Sequence, residues 1–560
     1  MRGYLPRRAV LGLGSMALAS CRKHQLYFGK ATPPRRQLLI YEIGGEPSSL
    51  DPATSLDGFE FYVMPAIFEG LVSRDPETLE PRAALATHYQ IKRNGTEFTF
   101  LLRGHPTPTG TKLPGANAAP NPASWSDGRP VTAHDFVYSW RRVADPGNAG
   151  AYASSLYAVT NGKEISEGKL PPETLGIGAV DDYTLRVSLK APTPYFLKVA
   201  SMEALAAVPR HAVSARGPSW TEAGRMPSCG PFLLHEWKPY DRIVLRKNTR
   251  YYNARRVRLE EIVFLPIIDG VTGVNLYKTG IAYAMHGREV PPLWIPALRD
   301  REDFHAAPAY RTLFYAFNTT RRPFDNHLVR YAFQMATNKD EIARFLSGGQ
   351  TPARTVVPPF FGYEGIKTLP VRAGERVWDV LSYDPESARA LMKMAGTKYL
   401  VLDLAFPNRT RSKEMAQILQ KQWRANLGAE VNLVMQDWSV WAQTVSSVDY
   451  QGVIEAGTGA NYADPNSFFE YFIGRYDGSG WSDLEFNRMV DQANAEAQSA
   501  ARMRKLAACE ERLLRSMPVL PVFFDSYSYL QKPYVAGLRS NVLDVPEFRG
   551  VWIDTNWRPQ

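Results

Sequence analysis

A chain of 560 residues is too long for one small module and corresponds to roughly three or four domains of ordinary size. With 44% hydrophobic, 12% aromatic and 22% charged residues and no run of twenty apolar residues, it is neither a disordered chain nor a polytopic membrane protein. The net charge of +10 does not argue for nucleic-acid binding: Arg2, Arg7, Arg8, Arg22, Lys23, Lys30, Arg35 and Arg36 lie in a stretch without acids, and the remainder is nearly neutral.

The basic start reads as an export signal. Arg2, Arg7 and Arg8 form a positive segment, and Ala9 to Ser20 form an apolar one too short to span a bilayer comfortably. It ends Leu18-Ala19-Ser20-Cys21, which resembles the bacterial lipobox, so residues 1–20 are expected to be a signal peptide and Cys21 the lipidated first residue of the mature protein. Arg7-Arg8 also resembles a twin-arginine signal but lacks the following aromatic, and the export route stays open. Residues 21–36, with Thr32-Pro33-Pro34, have the composition of a tether, and the folded body is expected near Gln37-Leu38-Leu39-Ile40.

Strand patterns follow at Glu97 to Arg103, Tyr183 to Leu189, with Asp181-Asp182 as the turn before it, and Arg242 to Arg246. Residues 104–124, rich in Pro and Gly, read as a surface insertion. Thr132 is placed to cap a helix carrying Phe136, Trp140 and Val143 on one stripe, and Ser482-Asp483-Leu484-Glu485 reads as a capping box. From Tyr399 to Met435 a strand (399–406), an amphipathic helix from about Ser412 with Met415, Leu419 and Trp423 inward, Gly428, and an alternating strand through Val431, Leu433 and Met435 predict a βαβ unit with parallel strands. That makes the C-terminal region an α/β lobe.

Motifs for chemistry are missing. The nine histidines are scattered with no pair at i, i+3 or i, i+4, no metal-type cysteine spacing occurs, and there is no phosphate-binding Gly loop or Gly-x-Ser-x-Gly elbow in the body. No cofactor, no metal and no enzymatic activity are expected. Cys509 shares a helical stripe with Leu506 and Leu513, the pattern of a buried thiol, while a disulfide with Cys229 would need Cα atoms within roughly 4.4–6.8 Å.

The segment Trp125-Ser126-Asp127-Gly128-Arg129-Pro130-Val131-Thr132-Ala133-His134-Asp135-Phe136 resembles the signature of the extracytoplasmic solute-binding proteins of family 5, the oligopeptide- and dipeptide-binding components of ABC importers. Ser48-Ser49-Leu50-Asp51-Pro52, Phe68-Glu69-Gly70-Leu71, Tyr152-Ala153-Ser154, Ala191-Pro192-Thr193-Pro194-Tyr195-Phe196, Gly230-Pro231-Phe232, Tyr462-Ala463-Asp464-Pro465 and Pro518-Val519-Leu520-Pro521 continue the resemblance in order, over nearly all of 37–560. The Trp125 to Gly128 stretch itself is read as a structural turn.

This resemblance implies an α/β fold of the type II periplasmic-binding-protein class, with two hinged lobes, an inserted third domain and mixed sheets with flanking helices. The implied boundaries are 37–68, 210–311 and 525–560 for a discontinuous first lobe, 69–209 for the insert and 312–524 for the second lobe. It implies a monomeric receptor that holds a peptide between its lobes and hands it to a membrane ABC permease. Gly58, Tyr152, Trp438, Thr458, Asn461 and Asp464 are the positions expected to meet the ligand. In peptide-binding members an acid at the position matching Asn461 pairs with the ligand's free amine; Asn lacks that charge. Thr458 stands where an aromatic is common, and Ser446 and Glu455 where basic residues occur in some members. Either a peptide is held by its backbone alone or with another acid such as Asp464 serving the amine, or the ligand is not an ordinary free-amine peptide, leaving a non-peptide solute or a sensory role as the alternative. For Asp464 a turn before Pro465 is the competing reading, and for Trp438 a place in the core.

Overall fold

The computed structural model describes residues 26–55, 58–116, 122–148, 152–285, 290–360, 362–397 and 399–559. The expected signal peptide and Cys21 lie outside them. Among the described residues no helix is long and apolar enough to cross a membrane.

An 11-stranded mixed sheet runs through the molecule. One end is the βαβ unit: Val401–Pro407 lies parallel to Glu430–Gln436 in the register Val401↔Glu430 to Pro407↔Gln436, joined by the helix Thr410–Leu427. The helix begins slightly before the expected Ser412. Its stripe Met415, Leu419 and Trp423 is fully buried, and Gly428, at φ 68°, ends it by donating to the Arg424 carbonyl at 3.1 Å. The sheet continues through Gly452–Gly459 to two long antiparallel strands, Phe304–Phe317 and Val519–Gln531. It then passes Ala284–Met285 to Leu38–Glu42, Glu261–Leu265, Arg242–Lys247 and Phe232–Lys238. The two long strands, alternating between both halves of the sheet, are the crossing connections between them.

A separate five-stranded sheet is built from Thr111–Lys112, Ala86–Lys92, Glu97–Leu102, Thr184–Ser188 and Ile177–Asp181. The last two pair as a hairpin about Asp181-Asp182. Helix Ala133–Ala144 buries Phe136, Trp140 and Val143 against this sheet in a cluster with Trp125 and Phe196, and Asp135 closes the capping box by accepting from the Thr132 amide at 2.9 Å. The Trp125 amide donates to Arg129, and Gly128, at φ 94°, donates back to Trp125, so the loudest sequence motif is a turn.

Three expectations change. The Pro-rich insertion is not loop throughout, since Thr111–Lys112 pairs with His88 and Tyr89. The cap of helix Leu484–Asn494 is Asp483, whose carboxylate accepts from the amides of Glu485 and Phe486 at 2.9 and 3.1 Å; the Ser482 hydroxyl instead accepts from Arg475. The chain joins the body before Gln37: Phe28 is buried, its amide donates to the Asp303 carboxylate at 2.9 and 3.0 Å, and Lys532 donates to its carbonyl. Hydrophobic burial of one aromatic outweighs the tether composition around it. Cys509 is buried, as its helical stripe predicts; Cys229 is buried in a different cluster, both thiols are free, and burial raises both, Cys509 to about 12.

Candidate functional site

A cleft of about 900 Å³ opens where the five-stranded unit, the loop after the central sheet and the C-terminal α/β region meet. Gly58, Phe61 and Tyr152–Ser154 form one wall; Trp438, Trp441 and Val445 on helix Trp438–Ser447 and residues 457–461 form the other. Helix Asn466–Ile473 contributes Ser467, Glu470 and Tyr471, and its exit contributes Gly474, Arg475 and Tyr476.

The strand Gly452–Gly459 positions the floor. On one side it pairs with Phe304–Phe317 over its length, from Phe317↔Val453 to Arg311↔Gly459. On the other side the parallel strand covers only Gly452 to Ile454. Among the described residues no strand pairs with the edge beyond Glu455, and Gly457, Thr458 and Gly459 of this edge line the cleft.

Five of the six expected ligand positions come together here: Gly58, Tyr152, Trp438, Thr458 and Asn461 all line the cleft. Trp438 is 46% exposed, so the core alternative does not hold. Its ring lies 4.6 Å from that of Trp441, and the Arg409 guanidinium sits 4.3 Å from its centroid. Tyr152 is nearly buried and packs edge-on to Phe61 at 5.0 Å. The Asn461 amide donates to Ser467 Oγ at 2.8 Å.

Asp464 is placed elsewhere. Arg502 donates to both of its oxygens, at 2.7 and 2.8 Å, with both side chains buried, and its Oδ1 also accepts from the Asn466 amide at 3.0 Å. The turn reading describes its geometry, and its charge is already spent on Arg502 rather than presented to a ligand. Glu455 is also turned away, accepting from Ser412 Oγ at 2.8 Å, and burial raises its pKa despite Arg411 and Arg409 nearby. Ser446 does line the cleft.

Sequence reasoning missed Trp441, Arg311, Tyr471, Arg475 and Glu470. Trp441 had a signal, standing three residues after Trp438 on one helix face. Glu470 had one too, as a lone acid within the apolar run Phe468-Phe469-Glu470-Tyr471-Phe472, where charges are seldom placed without a role. Glu470 is half-buried, its Oε1 accepts from Tyr462 OH at 2.7 Å and from Asn466 Nδ2 at 2.8 Å, and burial pushes its pKa up to about 8. Below it the five-stranded unit touches the C-terminal region directly. Tyr195 stacks on Tyr462 with centroids 5.6 Å apart and planes 3° apart, Asn466 Nδ2 donates to Tyr195 OH at 3.1 Å, and Lys198 donates to the Ala463 carbonyl at 3.2 Å.

The chain as a whole is similar to known proteins in sequence and fold. The periplasmic oligopeptide-binding protein OppA of Salmonella typhimurium is 31% identical over 514 residues, 90% of each chain. The structure of Haemophilus influenzae OppA in complex with RPPGFSPFR superposes with a TM-score of 0.80, at 26% identity, covering 93% of this chain and 100% of that one. The unliganded open form of the murein tripeptide binding protein MppA of Escherichia coli gives 0.68 at 27% identity, covering 93% and 98%. At equal coverage the conformation here is thus nearer the peptide complex than the open form. The fold is that of the type II periplasmic binding proteins, α/β with mixed sheets and flanking helices. The sequence profile of the bacterial extracellular solute-binding proteins, family 5, matches residues 122–480, and the chain belongs to that family.

Proposed function

We propose that the protein is an exported, Cys21-anchored receptor that captures peptides between its lobes and delivers them to an ABC permease, without chemistry of its own. The observation that carries this reading is the edge of Gly452–Gly459 beyond Glu455, which no strand pairs among the described residues and which opens into an aromatic-walled cleft. An extended peptide satisfies such an edge with main-chain hydrogen bonds that ignore side-chain identity, while Trp438, Trp441 and Tyr152 offer broad apolar contact. The lobes act as a single monomer, with closure about the crossing strands trapping the ligand.

The test is retention of a pool of short synthetic peptides by protein lacking residues 1–21. Retention is expected to tolerate varied sequence and to fail when the backbone nitrogens are methylated. Equal retention of methylated peptides, or none of either, contradicts the reading. The neutral Asn461 favours one alternative, a non-peptide solute, which would be marked by failure of all peptides to bind. Cys21→Ala is expected to release the protein from membranes with ligand binding intact; a variant that stays anchored contradicts the lipoprotein assignment.

A further inference from the structure

We infer that Glu470 is the residue that receives the protonated primary amine of the bound peptide, so that the cleft selects free-amine ligands through an acid nine residues beyond Asn461. This rests on the peptide reading of the cleft and names the charge chemistry of its ligand.

The charged side chains lining the cleft are few. Arg74 and Glu203 pair with each other, Arg311 lies 3.9 Å from the Asp525 carboxylate, and Arg475 donates to Ser482. Glu470 is the remaining acid, and among the described residues no cation stands within ion-pair distance of it. Its neighbour Arg502 is held by both oxygens of Asp464. Both hydrogen bonds to Glu470 end on Oε1, from Tyr462 and Asn466, so Oε2 keeps its lone pairs for a donor.

The carboxylate is also fixed in place. Tyr462 is stacked on Tyr195, and Asn466 is clamped between Tyr195 OH, Tyr462 OH and Asn494, which donates to its Oδ1 at 2.7 Å. A preorganised acceptor loses little freedom on binding. Asn461 and Glu470 line one site: Ser467 Oγ accepts from the Asn461 backbone N–H and lies one helical turn from Glu470 on the same face, about 4.5 Å along the axis. Asn461 and Glu470 both line this cleft, so a ligand amine bound beside Asn461 shares the cavity with the acid. Without a ligand, burial outweighs the opposing bonds from Tyr462 and Asn466 and the pull of Arg502, while the charge of Asp464 adds to it and the Tyr195 and Tyr462 hydroxyls stay neutral. An arriving ammonium favours the ionised form and displaces the proton.

The experiment presents an equimolar pool of mixed-sequence peptides without Lys or Arg, half of them N-acetylated, to the wild-type protein and to Glu470→Gln. The wild type is expected to retain free-amine over acetylated peptides by about tenfold or more, the worth of one charge-assisted hydrogen bond. Glu470→Gln keeps an acceptor for Tyr462 and is expected to retain both forms nearly alike, with Asn461→Asp in that background restoring the preference. In the unmodified protein the preference is expected to shrink from pH 7.5 to 5.5, as Glu470 takes up its proton while the amine stays charged. Undiminished preference in Glu470→Gln, a preference independent of pH, or retention of both forms alike by the wild type overturns the assignment and leaves the peptide reading standing. Retention of neither form overturns both.

Discussion

At Asp464 and Trp438 the same local sequence supported a structural and a ligand-facing reading, and burial separates them. Asp464 and Arg502 are buried together, so removing either leaves an uncompensated charge. Asp464→Ala is expected to lower unfolding free energy by about 3 kcal/mol in urea titration, whereas a ligand anchor would change affinity with little loss of stability. Trp438→Ala should do the reverse, weakening ligand retention while stability moves by no more than about 0.5 kcal/mol, because its exposed ring adds little to the core. Glu510 carries a pH effect. It is buried against Tyr363 and the amides of Val356 and Val357, and burial raises it to about 7. Between its unfolded value near 4.5 and that folded value the native state holds the extra proton, so this group's contribution is full below pH 4.5 and is lost as pH rises through 7. Glu510→Gln is expected to flatten the fall in stability between pH 5 and 7, measured by denaturant unfolding across that range.

Elements were legible wherever the signal was local. Periodicity over residues 399–435 located both strands and the helix of the βαβ unit to within a few residues, and Gly428 marked the helix end because its left-handed φ is one that other side chains rarely adopt. In the motif from Trp125, Gly128 marked the turn for the same reason, and Thr132 with Asp135 marked the cap by their capping-box pattern. Resemblance placed Gly58, Tyr152, Trp438, Thr458 and Asn461, which the fold brings to one cleft. What local pattern does not carry is the partner of a charge: Arg502 stands 38 residues from Asp464, and Asp303 stands 275 from Phe28. The open edge of Gly452–Gly459 was equally hidden, since it depends on where the neighbouring strand stops pairing rather than on its own residues. Ser482 lost the capping role to Asp483 because either polar residue fits the pattern and only the backbone angles choose between them.

On the scale of the whole molecule, contact between the five-stranded unit and the C-terminal region includes Tyr195 on Tyr462, Lys198 on Ala463, Asn466 on Tyr195 and Tyr157 on Tyr476. These contacts suit a closed arrangement, as does the better superposition on a peptide complex than on an open form. Tyr195→Ala removes a stacked pair and is expected to increase the radius of gyration of the unliganded protein in small-angle scattering, with ligand restoring the compact value; an unchanged radius would assign the stack to static packing. Cys229 and Cys509 are both free, so reductant is expected to leave the melting temperature unchanged. The measurement that tests peptide capture most directly is native mass spectrometry of protein lacking residues 1–21, purified from cells grown in peptide-rich medium, followed by denaturing release of its cargo. A ladder of short peptides of mixed sequence is the predicted result; a single non-peptide mass would contradict it.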